Sequence, residues 1–257
     1  MKKMRAGIIG GTHGMGRWMA DLLRAEGFSV RVAGRTTKTT AADLADRCDV
    51  VVVAVPIAAT ADVIQKVGPR MQSGRLLMDL TSLKTEPVKL MLAHSEADVV
   101  GCHPLFGPSV SDPAGHSVVL CRGRGENGYA MMKALFQKAR YRVLETTPRK
   151  HDEMMSIVQA LNHFNTIVLG MAVAEAGIPF RELQPFSTPM FKTKIEMVQR
   201  VLTETPGLYA DILAGNPRTE KIMASYACVV RKIRTLMASG DAAGLKKAME
   251  NTAKTLF

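Results

Sequence analysis

Apolar runs that predict strands alternate with helical patterns along the first 147 residues. The β-branched run Asp49–Val55 is typical of a buried central strand, and Ala58–Val67 after it repeats apolar residues at helical spacing. Further strands are predicted at Arg5–Ile9, Val30–Ala33, Leu76–Leu80, Asp98–Gly101, Ser117–Cys121 and Arg142–Glu145. The alternation predicts an α/β domain over residues 1–147.

From residue 148 to residue 257 helical patterns dominate the sequence. Segments that contain glycine and proline, such as Gly177–Pro179 and Gly215–Pro217, separate the predicted helices. Apolar residues cover much of the helix around Met154–Leu161, and a helix that is apolar on more than one face must bury both. We therefore predict an all-helical second domain that forms a homodimer, with a monomer built on an internal helical bundle as the alternative.

A glycine-rich turn lies between the first predicted strand and the first predicted helix. Glycines let the backbone approach a pyrophosphate closely, and the N–H groups of the new helix face the anion. The order of strand, turn and helix favours a Rossmann-type dinucleotide site, although the turn has one residue more than G-x-G-x-x-G and the alternative is a turn that binds no ligand. The predicted cofactor residues here are Gly10, Gly11, Thr12, His13, Gly14, Met15 and Gly16, with Val55 and Pro56 at the end of the third strand.

The end of the second predicted strand carries cations in place of an acid. NAD-binding units commonly place a carboxylate there, about 20 residues after the glycine turn, to bind the adenosine ribose. This chain instead has Gly34, Arg35, Thr36, Thr37 and Lys38. Because Arg35, Thr36 and Lys38 can bind a 2′-phosphate, we expect NADP rather than NAD, with a solvated basic loop as the alternative.

Composition restricts the classes of ligand. The chain has 257 residues, 47% of them apolar, and a formal net charge of +11. This positive charge favours anionic small molecules as ligands; the alternative is that the charged side chains only form a solvated surface. Aromatic residues make up 5% of the sequence and no nucleic-acid motif is present, so we expect no nucleic-acid partner.

Cysteine usage and hydropathy bear on the compartment. The four cysteines are scattered, which predicts neither a metal site nor a disulfide framework and favours the reducing cytoplasm. The most apolar stretch, Val50–Ala59, contains Pro56 and is far shorter than the ~20 residues that span a bilayer. We predict no membrane association.

Several polar residues are candidates for chemistry. Ser82 and His103 follow predicted strands at the edge of the sheet where the nicotinamide would lie. The alternatives are that Ser82 only caps a helix and that His103 is a loop histidine without a catalytic role. In the helical half, His151 and His163 are about 120° apart on a regular helix, so they need not share a face. Arg200 is the cation that we single out there, with a surface pair to Glu196 as its alternative.

Five segments carry a family resemblance. They are GGTHGMGRW, DLTSLK, GCHPLFGPS, HDEMMSIVQALNHFNTIVLG and FKTKIEMVQRVLTETPGLYADIL. Their order and spacing resemble the prephenate/arogenate dehydrogenase family of tyrosine biosynthesis, a branch of aromatic amino acid biosynthesis, over nearly the whole chain. The H-P-x-F-G-P segment and the helix from H-D to L-x-H-F are the specific parts. Thr12 and His13 stand where some members have glycine.

The resemblance implies a role for each residue that matches a family motif. His103 is expected to hydrogen-bond the ring hydroxyl of prephenate, and Ser82 to assist it. His163 is expected in the substrate pocket, and Arg200 on a substrate carboxylate. His151 is grouped with these substrate-binding residues.

The resemblance also implies the reaction. Hydride leaves ring C4 of prephenate for NADP, the ring carboxylate departs as CO₂, and neutral His103 accepts the hydroxyl proton, which gives 4-hydroxyphenylpyruvate. We therefore expect an NADP-preferring prephenate dehydrogenase, with NAD as the other cofactor. The alternatives are an arogenate dehydrogenase, another NADP-dependent reductase of the coenzyme-F420 type, and a non-catalytic NADP sensor.

Overall fold

The computed structural model describes residues 3–110 and 112–257. Seven strands form one sheet: β1 (Arg5–Ile9), β2 (Ser29–Ala33), β3 (Val50–Val53), β4 (Leu76–Asp79), β5 (Asp98–Pro104), β6 (Ser117–Arg124) and β7 (Arg142–Thr146). Their order is β2-β1-β3-β4-β5-β6-β7. Because the chain reverses direction across the sheet between β1 and β3, a crevice opens at their carboxyl ends, where α/β proteins bind ligands.

Helices cover both faces of the sheet. They are α1 (Gly14–Ala25), α2 (Ala41–Arg47), α3 (Ile57–Val67), α4 (Thr85–His94) and α5 (Asn127–Lys138). α1 and α5 pack on one face through side chains such as Met19 and Phe136, and α2, α3 and α4 pack on the other through Leu44, Ile64 and Met91. All four residues of β3 are fully buried, as a central strand covered on both sides requires.

The rest of the chain is helical. Its helices are α6 (Pro148–Met155), α7 (Asn162–Glu175), α8 (Phe180–Leu183), α9 (Pro189–Thr203), α10 (Pro206–Gly215), α11 (Thr219–Ala238) and α12 (Ala242–Leu256). A π-helical turn, Ser156–Leu161, joins α6 to α7 without a break. α6 and α9 each begin with threonine followed by proline, and the hydroxyls of Thr147 and Thr188 accept backbone N–H groups of the first turn.

The predicted fold class is confirmed, and several strand ends differ from their predicted bounds. β5 continues to Pro104 instead of ending at Gly101, because His103 and Pro104 pair with Val119 and Val118 of β6. β1 to β5 are parallel to one another, whereas β6 runs antiparallel to β5 and parallel to β7. β7 ends at Thr146 and α6 begins at Pro148, while the division into domains at residue 147 stays a prediction.

One helical run bears on the membrane prediction. Residues Pro148–Glu175 are long and apolar enough, by length and composition alone, to cross a membrane, and little of the run is buried within the chain. The sequence-based prediction considered only the run around β3 and overlooked this one. The same run begins with the buried polar residues His151 and Asp152, which belong to the site described below.

Candidate active site

The glycine turn brings β1, β3 and α1 to backbone contact. Gly10 has a φ of +85°, and a Cβ atom there would lie 2.3 Å from the carbonyl oxygen of Ala54. A Cβ atom on Gly16 would lie 2.2 Å from the carbonyl oxygen of Gly10. His13 caps α1 without a side-chain hydrogen bond to the helix, so the first N–H groups of α1 stay open toward the crevice. The turn fits a pyrophosphate.

A cleft of about 700 Å³ runs from this turn along the ends of β1, β2 and β3. Of the predicted cofactor residues it is lined by Gly10, Thr12, His13, Gly14, Met15, Arg35, Val55 and Pro56. Thr36 and Lys38 are exposed and lie outside this lining. The neighbouring Thr37 hydroxyl accepts the Gly34 N–H at 2.8 Å and thereby fixes the loop that presents Arg35.

A second cavity, of about 490 Å³, adjoins the first and is lined by residues from both halves of the chain. Met15, Val55 and Pro56 line both cavities, so the two form one continuous crevice. The sequence-predicted residues that line the second cavity are Ser82, His103, His163 and Arg200. The structure thus brings an imidazole of β5 and a guanidinium of α9 into the same cavity.

Three side chains form a buried hydrogen-bonded chain behind this cavity. The Nδ1 atom of His103 lies 2.8 Å from Nε2 of His151, and Nδ1 of His151 lies 2.8 Å from Oδ1 of Asp152. An ionised carboxylate only accepts, so His151 donates from Nδ1 and its Nε2 must accept from Nδ1 of His103. His103 is left with an unprotonated Nε2, a proton acceptor.

The Asp152 carboxylate is held by backbone donors. The N–H groups of Lys84 and Thr85, at the start of α4, donate to its two oxygens at 2.9 and 2.8 Å. The Asn216 side chain donates to the Asp152 carbonyl at 2.9 Å. Asp152 therefore orients His151 and also joins α6 to α4 and to the end of α10.

A fully buried ion pair supports the same edge of the sheet. The Lys84 ammonium contacts the Asp79 carboxylate, and neither side chain is exposed. The same Asp79 oxygen accepts the Thr81 N–H at 3.0 Å and its hydroxyl at 2.7 Å. These bonds fix the segment after β4, where Ser82 faces the cavity.

Burial sets the protonation states. Burial, together with the neighbouring His151 and Lys84, holds the pKa of His103 well below its usual value. Burial also lowers the pKa of His151 and His163. Burial opposes ionisation of Asp152, but hydrogen bonds from His151 and from Thr85 outweigh it and lower the pKa of this carboxyl. The site therefore holds neutral imidazoles beside one ionised carboxylate.

The predicted substrate residues differ in their surroundings. His163 packs edge-to-face on the Tyr209 ring, with ring centroids 4.6 Å apart. Arg200 has a side chain that is 73% exposed and lies 3.7 Å from Glu204, not from Glu196 as its surface alternative assumed. Within the described residues the Ser82 hydroxyl makes no hydrogen bond to another side chain. His151 is fully buried and does not line the cavity, so it departs from the expected substrate contact and lies behind His103 instead.

The π-helical turn explains why the angular estimate for α6 and α7 does not apply. A wider turn changes the phase between His151 and His163, so the first points behind the cavity and the second into it. Sequence reasoning missed Lys84, Asp152, Gln159 and Tyr209. The adjacent H-D pair was a signal for Asp152, whereas Gln159 had none because its position depends on the π-helical turn.

Two family models match the chain. Residues 19–163 match the model described as "Prephenate dehydrogenase, nucleotide-binding domain", and residues 147–251 match "Prephenate dehydrogenase, dimerization domain". The matches overlap between residues 147 and 163, which contain His151 and His163.

Curated relatives extend the likeness over most of the chain. A probable arogenate/prephenate dehydrogenase of Methanocaldococcus jannaschii is 34% identical over 96% of this chain and 60% of its own length. The T-protein of Haemophilus influenzae is 30% identical over 92% of this chain and 63% of its own length. The chain thus spans less than two thirds of these relatives.

Solved structures share the fold. Prephenate dehydrogenase from Aquifex aeolicus, in complex with hydroxyphenyl propionate and NAD⁺, has a TM-score of 0.74 at 18% identity and covers 100% of this chain and 98% of its own. Synechocystis arogenate dehydrogenase has a TM-score of 0.74 at 17% identity and covers 98% of each chain. The family models, with the conserved order of both halves, establish the relationship that the sequence segments indicated: this chain belongs to the prephenate/arogenate dehydrogenase family.

Proposed function

We propose that this chain is an NADP-preferring prephenate dehydrogenase, which converts prephenate to 4-hydroxyphenylpyruvate and CO₂. One observation carries the proposal. A neutral imidazole, His103, and a cation, Arg200, line one cavity that opens into a cleft built for a dinucleotide. Prephenate needs both groups, because it carries a ring hydroxyl that must lose its proton and two carboxylates that must be bound.

His103 acts as the general base. Its Nδ1 proton is committed to His151, so only Nε2 can accept the proton of the C4 hydroxyl. Burial keeps the imidazole neutral before the reaction. After proton transfer, the ionised Asp152 stabilises the cationic pair of imidazoles through His151. In this proposal His151 is a positioning residue and not a substrate ligand.

Arg200 and His163 bind the anionic parts of the substrate. The guanidinium of Arg200 can form two parallel hydrogen bonds with one carboxylate. His163 stands on the Tyr209 ring, which restricts the orientation of its imidazole. Ser82 lies in the segment that Asp79 holds by hydrogen bonds, and it lines the cavity with His103. Its hydroxyl can therefore hydrogen-bond the hydroxyl end of the substrate.

The cofactor supplies the oxidant. When bound, the nicotinamide accepts the hydride from C4, while the electron pair of the departing carboxylate completes the aromatic ring. Gly10 and Gly16 allow the pyrophosphate to approach the start of α1. Arg35 lines the cleft at the end of β2, where an acidic residue is missing, and this favours the 2′-phosphate of NADP. Thr36 and Lys38, exposed beside Arg35 and outside the lining of the cleft, are proposed as further contacts of this phosphate.

The cysteines of the described residues are free, which suits the proposed location of the enzyme in the reducing cytoplasm.

The helical half is proposed to form a homodimer. Apolar side chains such as Val229, Ile233 and Met249 line a groove of about 660 Å³ between α11 and α12. A second copy would cover this surface. Sedimentation of the purified chain measures the assembly directly, and a monomer at all accessible concentrations contradicts it.

The activity is tested by offering four substrate–cofactor combinations to the purified protein. Prephenate and arogenate are each combined with NADP and NAD, and formation of the reduced nicotinamide is followed. We expect the highest kcat/KM with prephenate and NADP. A preference for arogenate makes the chain an arogenate dehydrogenase, the activity named for the Synechocystis neighbour, and no turnover with either substrate rejects the proposed function.

A further inference from the structure

Gln159 is a polar residue of the substrate cavity to which the sequence analysis assigned no role. It lies in the π-helical turn, one turn before His163, and lines the cavity together with Met155 and Val158. Its Nε2 atom is 3.5 Å from Nε2 of His103, the nitrogen that faces the cavity. A polar amide therefore stands beside the proton acceptor of the proposed reaction.

The protein leaves this amide unsatisfied. Its single contact is at the outer limit of a hydrogen bond, and Oε1 is buried with no partner within the described residues. The buried Asn216 differs, because its Nδ2 donates to the Asp152 carbonyl and its Oδ1 accepts the Arg218 N–H, both at 2.9 Å. Since a buried amide normally has partners, the Gln159 amide is available for a ligand.

The position of the hydroxyl follows from the base. A substrate hydroxyl that donates to Nε2 of His103 must place its oxygen within about 3 Å of that nitrogen. The Gln159 amide then lies next to the same oxygen, which keeps lone pairs free to accept a second hydrogen bond.

We propose that Gln159 is a catalytic residue that donates an amide N–H to the C4 oxygen of the substrate. The proposal rests on the proposed function and deepens it. As the O–H bond breaks, its proton goes to Nε2 of His103 and its electron pair forms the C=O bond, while hydride leaves C4 and would be taken up by the oxidised nicotinamide when it is bound. The bond between the ring and its carboxylate then breaks and CO₂ leaves; its electron pair makes the ring aromatic and places negative charge on the C4 oxygen, which recovers the proton from His103. The amide N–H donates to this oxygen while it carries the negative charge.

Two substitutions separate the hydrogen bond from the shape of the side chain. Gln159→Met keeps the length and removes the donor, and we expect kcat to fall about tenfold to a hundredfold with a smaller change in KM. Gln159→Glu keeps the shape of the side chain and places a carboxylate near His103. The titratable and charged groups that already act on His103 are His151, Asp152 and Lys84. A carboxylate there stabilises the imidazolium, so the acid limb of kcat/KM should move to higher pH. Gln137→Met, on the exposed side of α5, is the matched control.

A binding measurement tests the contact without turnover. The probes are 3-(4-hydroxyphenyl)propionate and 3-phenylpropionate, which differ only in the ring hydroxyl, with the cofactor saturating. We expect the wild-type protein and Gln137→Met to prefer the hydroxylated probe by about tenfold, and Gln159→Met to lose most of this preference. An unchanged preference in Gln159→Met, or a kcat within twofold of wild type, overturns the proposal. Failure of the wild-type protein to turn over prephenate or arogenate rejects the proposed function instead, and the two failures are thereby distinguished.

Discussion

Large apolar side chains are distributed differently in the two halves of the chain. In the α/β half they fill both faces of the sheet, and the strand Val50–Val53 is fully buried. Beyond residue 161 few apolar side chains are buried, among them Val198 and Ile212, while Met171 and Met237 are more than half exposed. The first half is stabilised by its own core, whereas the second half retains apolar surface that a partner can cover.

The site residues also differ in their burial. His103 comes from a buried strand and is 4% exposed, whereas the Arg200 side chain is 73% exposed on α9. A buried, hydrogen-bonded base is suited to a step that requires fixed geometry, and an exposed cation is suited to capture of an anion. We therefore expect substitutions in the buried chain from His103 to Asp152 to lower kcat, and substitution of the exposed Arg200 to raise KM.

The largest effect is expected from removal of the base. His103→Asn should lower kcat by about 10²–10⁴-fold, because no other group takes the hydroxyl proton, while the affinity for NADP stays the same. Steady-state kinetics and cofactor titration by fluorescence measure the two quantities. Near-normal turnover with unchanged substrate affinity would falsify the assignment of the base.

Loss of the buried carboxylate is expected to have a somewhat smaller effect. Asp152→Asn should lower kcat by about tenfold to a hundredfold, because the tautomers of both imidazoles are then no longer fixed. The charge of Asp152 raises the pKa of His103, so its removal lowers that pKa further and should move the acid limb of kcat/KM to lower pH. A pH profile that keeps its acid limb in place contradicts this account of the hydrogen-bonded chain.

In the helical half, Arg200→Gln should raise the KM for prephenate by about tenfold or more, with little change in kcat. Lys194→Gln, which removes an exposed cation from the same helix, is the control for the overall charge of α9. If both variants change KM equally, or if KM stays constant in both, Arg200 does not bind the substrate and the contrast between a buried base and an exposed cation fails.

The smallest effect concerns the cofactor. Arg35→Ala should reduce the ratio of kcat/KM for NADP to that for NAD by about fivefold to tenfold, because an exposed guanidinium contributes modestly to phosphate binding. Arg31→Ala, which removes an exposed arginine of β2 that does not line the cleft, serves as the control. If the ratio of kcat/KM for NADP to that for NAD is unchanged, Arg35 belongs to a solvated basic loop and does not bind the 2′-phosphate.

Features encoded locally could be predicted from the sequence. The glycine turn and the β-branched strand are marked by neighbouring residues, so the sequence alone predicts the position of the cofactor cleft. Arg200 needed the family resemblance, because an exposed arginine on a helix has no local signature. The link from Asp152 to the Lys84 N–H could not be predicted, since it joins residues that are 68 positions apart. The antiparallel β6 also carries no distinct apolar pattern.

The π-helical turn makes the winding of one segment critical. If the residues from Ser156 to Leu161 were wound as a regular α-helix without loss of a residue, everything after them would rotate by about 100° relative to α6. His163 would leave the cavity, and the contacts of α7 with α9 would be lost together with it. The conformation of these six positions, and not only the side chains that they carry, therefore fixes where His163 lies.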